Sequence, residues 1–222
     1  MLTALGAGVL AGVLVFAAHM MATSPLILAA EVYETTPAPS HGSTAAASDV
    51  TANAEAALEG WERSAYTLLA DILTSIGFAF VLVGAIALSG RDVDWRRGMI
   101  WGLCGFAAVS VAPALGLAPE LPGMQAADLQ NRQVWWLGTA ATTAGGLALI
   151  FLDERPVLKV LGAVLIALPH VIGAPAEHEL RSGAVPAELA AEFAVATLVV
   201  SGLFWLLLGG LTGHFYRRFE SA

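Results

Sequence analysis

Apolar residues run in six long stretches along this chain, with short polar links between them. The stretches cover residues 2–30, 65–88, 98–118, 134–152, 157–174 and 193–215. Within them the apolar positions neither alternate nor keep to one helical face, and helices that are hydrophobic all round lie in a core or in a bilayer. A hydrocarbon core about 30 Å thick takes about 20 apolar residues per helix. The pattern therefore predicts an all-α, polytopic transmembrane helix bundle of six spans forming a single membrane domain over residues 1–222. The fifth stretch is the shortest and holds Lys159, whose long stem reaches an interface. The links carry turn signals, such as Ser89-Gly90 and Pro119 to Gly123. Residues 31–57, rich in Ala, Ser, Thr and Pro, are expected to form a flexible external loop.

Composition supports this reading: 57% of the residues are hydrophobic and 13% charged, against about 25% charged in soluble domains. The N-terminal stretch MLTALGAGVLAG lacks the basic region of a signal peptide and is expected to be a retained span. The single cysteine, Cys104, lies inside the third stretch, allows no intramolecular disulfide and reads as a small apolar residue.

Charge sets an expected orientation. Arg91, Arg96, Arg97, Arg155, Lys159, Arg217 and Arg218 fall on one side of a six-span arrangement, and only Arg63, Arg132 and Arg181 on the other. By the positive-inside rule both termini are then cytoplasmic. The external side collects Glu31, Glu34, Asp49, Glu55, Glu59, Glu62, Glu177, Glu179 and Glu188, a surface that attracts cations. The net charge of −8 argues against a nucleic-acid partner and leaves the lipid bilayer as the evident one.

Small residues at GxxxG spacing, Gly8/Gly12, Gly98/Gly102 and Gly209/Gly213, point to close helix packing. His19 and Pro25, Pro113 and Pro119, and Pro169 and Pro175 are each six apart, a weak echo that would fit three helical hairpins in tandem. No Walker A loop, HExxH, GxSxG or CxxC occurs, so neither ATP hydrolysis nor another enzymatic activity is expected.

The chemistry rests on titratable groups inside the spans, which are costly there and pair with one another or line a wet cavity. By a helix rise of about 1.5 Å per residue, His19 lies about 9 Å below the outer end of the first stretch, and His170 about 7–8 Å below that of the fifth. Asp71 has a similar depth in the second, and Glu192 begins the sixth. Two histidines and two carboxylates on four helices thus share the outer half of the membrane. Imidazole with carboxylate suits a first-row divalent metal such as cobalt, nickel or zinc. The plainer alternative is an ion pair of His19 with Asp71 for packing, and a backbone bond from His170. Outside, His41 and the run Glu177-His178-Glu179 are candidates for loose cation capture.

Several strings carry a family likeness: SPLILAAEVYE, GWERSAYTLLADILTSIGFAF, APALGLAPELPGMQAADLQNRQVWW, ALPHVIGAP, and VPAELAAEF followed by LFWLLLGGLTG. In order and spacing the chain resembles the CbtA family of predicted cobalt transporter subunits, over nearly all its length except the first loop. The resemblance implies a multi-pass protein of the bacterial plasma membrane that takes up cobalt(II), associated with cobalamin synthesis. Cobalt is implied as the transported ion, with no permanently bound cofactor. The implied partner is a small single-span CbtB-like subunit with a histidine-rich metal-binding end. The family's PHxxGAP motif falls on Pro169, His170, Gly173, Ala174 and Pro175, and its PELPG motif on Pro119 to Gly123, which adds Glu120 to the candidate ligands. A membrane scaffold that stabilises or recruits the partner is the alternative function.

Overall fold

In the computed structural model, which describes the backbone of residues 1–34, 49–124, 126–175 and 185–220, every element is helical among the described residues. The helices are α1 (Leu2–Ala22), α2 (Ser24–Glu34), α3 (Asp49–Ser89), α4 (Trp95–Ala114), α5 (Leu129–Leu152), α6 (Pro156–Ile172) and α7 (Ala187–Glu220). Five of them contain a segment long and apolar enough to cross a membrane: Leu2–Ala22, Gly60–Ser89, Trp95–Ala114, Leu129–Leu152 and Ala187–Phe219. The sixth apolar stretch forms α6, which is shorter at 17 residues.

Local chemistry sets the boundaries. The stretch expected as one span over 2–30 is two helices. The Thr23 N–H still bonds back to the His19 carbonyl, but Pro25 has no N–H to continue the ladder, and Leu26 and Ile27 bond to the Thr23 carbonyl instead. Of the expected loop 31–57, helix covers 31–34 at one end and 49–57 at the other, because the Ala- and Glu-rich run after Asp49 favours helix. Residues 35–48 lie outside the described ones. Gly90, at φ 61°, ends α3 in the left-handed region. Asp94 caps α4 by accepting from the Arg97 N–H at 2.8 Å, and Asp128 caps α5 by accepting from the Asn131 N–H at 3.0 Å. Within α4, Ala107–Val111 widens into a π-helical turn, one turn before Pro113, whose ring would crowd the carbonyl four residues back.

Packing follows the small residues. A Cβ on Gly8 would stand 2.5 Å from the Ile76 Cα, and one on Gly12 2.6 Å from the Ile72 Cα, so α1 lies backbone to backbone on α3. Gly98 and Gly102 of α4 meet Gly209 and Gly213 of α7 in the same way. Gly146 of α5 and Gly162 of α6 each point at the other's carbonyl. The pairs are thus α1–α3, α4–α7 and α5–α6. Three consecutive hairpins would have put α4 on α5. The glycine faces of α4 and α7 are complementary, and direct backbone contact outweighs chain proximity.

The core lies between α1, α3, α4 and α7. It holds Ala11, Val15, Ala79, Leu82, Ile86, Phe204, Trp205 and Leu208, with the Phe78 ring 5.0 Å from that of Trp205. Large apolar side chains face outward elsewhere, Leu88 at 91% exposure and Val171 at 82%, as a lipid-facing surface requires.

Candidate cation site

The α1–α3 crossing sets up the one contact between predicted site residues among those described. With Gly8 on Ile76 and Gly12 on Ile72, antiparallel register puts His19 and Asp71 roughly six residues, about 9 Å, apart along the axis. Each side chain leans toward the N-terminus of its own helix. Because the helices run in opposite directions, the two lean toward each other. His19 Nδ1 lies 3.0 Å from Asp71 Oδ2, with the side chains 32% and 15% exposed. His19 is in the last turn of α1, where the hydroxyl of the following Thr23 donates to the His19 carbonyl at 3.2 Å. Farther out, Arg63 of α3 donates to Glu31 of α2 at 3.1 Å, while α2 itself packs against α1 and α7 beyond the break.

The other predicted ligands lie apart from this pair. His170 is in the last turn of α6, where Gly173, at φ 90°, ends the helix. Its ring stands edge-on to Trp135 of α5 at 6.1 Å between centroids, and the buried Trp135 Nε1 has no hydrogen-bond partner among the described residues. Glu120, in the connection after α4, accepts from Arg132 Nη2 at 2.6 Å. Glu192 is exposed on the first turns of α7. His41, Glu177, His178 and Glu179 lie outside the described residues. Among the described residues, no three His, Cys, Asp or Glu side chains form a group able to hold a metal ion.

Arg132 was not a predicted site residue, and nothing in the spacing announces its bond to Glu120, twelve positions away across a turn. The two border a cavity of about 640 Å³ between α4, α5 and α7, near the π turn, which Ser110, Thr197 and Ser201 also line. The Arg132 Nε and the Thr197 hydroxyl are buried there without hydrogen-bond partners among the described residues. At the opposite, arginine-rich end, the Asp94 carboxyl is held below the usual carboxylate range, first by the Arg97 backbone N–H.

The model of the CbtA family, described as a probable cobalt transporter subunit, matches residues 1–217 of the 222. No curated protein matches the chain, and no solved structure does.

Proposed function

The chain belongs to the CbtA family of probable cobalt transporter subunits, and from that premise we propose that it carries cobalt(II) inward and that His19 and Asp71 receive the ion on its way. The observation that carries this reading is the 3.0 Å contact between an imidazole nitrogen and a carboxylate on two membrane-length helices. Intramembrane titratable groups mark ion pathways, and this donor set suits a first-row divalent cation. An arriving ion takes the place of the hydrogen bond between the two side chains and keeps part of its water shell. The helix break at Thr23, between the pair and the outer helix α2, supplies a joint at which the site opens.

In this reading α6 completes six spans, with both termini on the cytoplasmic side of a bacterial plasma membrane. The external acidic residues, with His41, Glu177, His178 and Glu179, concentrate the cation. His170 and Glu192 are further stops, and Glu120 becomes a ligand when Arg132 releases it. A small single-span CbtB-like subunit is the partner. One observation favours the scaffold alternative: His19 and Asp71 satisfy each other without an ion.

Radiolabelled cobalt uptake separates the two readings. Cells expressing the chain with its partner should lose at least about tenfold of their uptake in the double variant His19→Gln, Asp71→Asn, since disturbing even the hydrogen-bond partners of a metal ligand costs about that much. That variant retains a hydrogen bond between the positions and should keep wild-type protein levels and partner co-purification. Unchanged uptake at equal protein level removes the pair from the ion route and leaves the scaffold reading.

A further inference from the structure

At the arginine-rich end of the bundle, α3, α4 and α5 do not close on one another. They leave a groove of about 820 Å³ walled by apolar side chains, among them Ile100, Trp101, Cys104 and Ala148. Arg91, Arg97 and Asp92 line its mouth. The Arg91 guanidinium donates to the Leu152 carbonyl at 3.2 Å, and that of Arg97 to the Asp92 carbonyl at 2.8 Å. Both acceptors are neutral, and each guanidinium has further N–H groups to offer. Beside them, Trp95 opens α4 with the Arg96 guanidinium over its ring at 5.2 Å, a pairing typical of the headgroup level.

We propose that this groove holds a phospholipid, its phosphodiester between Arg91 and Arg97 and an acyl chain along the apolar walls. Among the residues that line the groove, two guanidiniums against the one carboxylate of Asp92 leave a net positive charge, which complements a single phosphodiester charge. The placement of charge separates this occupant from a protein helix: the basic groups gather at one end of an otherwise apolar groove, as a headgroup and its chain require. An acyl chain is thin enough to enter. The lipid fixes the spacing of α5 and α6 against the four-helix core. The inference rests on the membrane location and not on the cobalt reading, so the experiment reads no cobalt.

The test uses the purified full-length chain in detergent with 1-palmitoyl-2-oleoyl-phosphatidylglycerol, and native mass spectrometry counts the lipid retained. The wild type should keep a tightly bound lipid. Palmitoyl-oleoyl-glycerol, with the same chains and no phosphate, should bind at least about tenfold more weakly, as two arginine contacts imply. Glycerophosphoglycerol, with the phosphate and no chains, should not bind. Arg91→Gln with Arg97→Gln should weaken retention of the phospholipid to the level of the neutral lipid. Ala148→Trp, which fills the groove, should abolish it. Arg91 also ties down the end of α5, so if the arginine variant fails to fold, the neutral-lipid comparison on the wild type and Ala148→Trp decide the matter. Equal retention of both lipids, or unchanged retention in Ala148→Trp, overturns the proposal. So does displacement of the lipid by a co-expressed single-span partner, which would assign the groove to protein.

Discussion

His19 and Asp71 meet through a general property of side chains, their lean toward the helix N-terminus, applied to two helices held in close antiparallel register by Gly8 and Gly12. Depth along each span is legible in the sequence, and it placed both residues in the same half of the membrane. It placed His170 there too, yet the imidazole of His170 faces Trp135, because depth says nothing about azimuth. Asp94 offers a residue-scale prediction outside the spans. Its carboxyl is held below the ordinary range by the Arg97 N–H and, through space, by the Arg97 and Arg217 guanidiniums. A depressed carboxyl stabilises the fold at pH above its unfolded pKa, and the contribution disappears as pH falls through the folded one. The thermal midpoint of the detergent-solubilised chain should therefore fall as pH drops from about 5 toward 3. Asp94→Asn should be less stable than the wild type at neutral pH and show a flatter decline over that window. Parallel curves for the two would exclude Asp94 as the source.

Elements divide into those that keep their own geometry and those that depend on a neighbour. The caps at Asp94 and Asp128 and the break before Pro25 are local, and the residues that cause them are adjacent to their effects. The α5–α6 contact is not local. Gly145 and Gly146 are consecutive, but a Cβ on Gly145 meets nothing within 4 Å, whereas one on Gly146 falls 2.5 Å from the Gly162 carbonyl. Gly145→Ala should be neutral or stabilising by up to about 1 kcal/mol, through helix propensity. Gly146→Ala should destabilise by about 1–3 kcal/mol, because backbone must move to admit the methyl group. Equilibrium unfolding in mixed micelles reads both. Equal effects would mean that α6 does not lie on α5 at this crossing. The sequence marks residues 138–146 as rich in small side chains but does not show which of them face a helix.

At the scale of the whole molecule, α1, α3, α4 and α7 share one core, and α5 and α6 pair with each other at its side, with α5 against α4. The charge asymmetry, seven basic residues against three, makes a direct prediction. Reporter fusions at the N-terminus and at the C-terminus should both score as cytoplasmic, and a reporter inserted after His41 as external. Opposite sides for the two termini would mean an odd span count and exclude α6 as a crossing. The helical class, the apolar segments long enough to cross a membrane and the charge asymmetry were set by the sequence alone, since each depends on composition within one stretch and on the thickness of a bilayer. Helix pairing was decided only in three dimensions. Gly98 and Gly102 of α4 match Gly209 and Gly213 of α7, more than a hundred residues away, and no local signal orders one such face against another. The same holds for the ligands: the sequence gives the depth of His19 and Asp71, while rotation about the helix axis, fixed by packing, brings the two together, and the path of the connection after α4 carries Glu120 to Arg132.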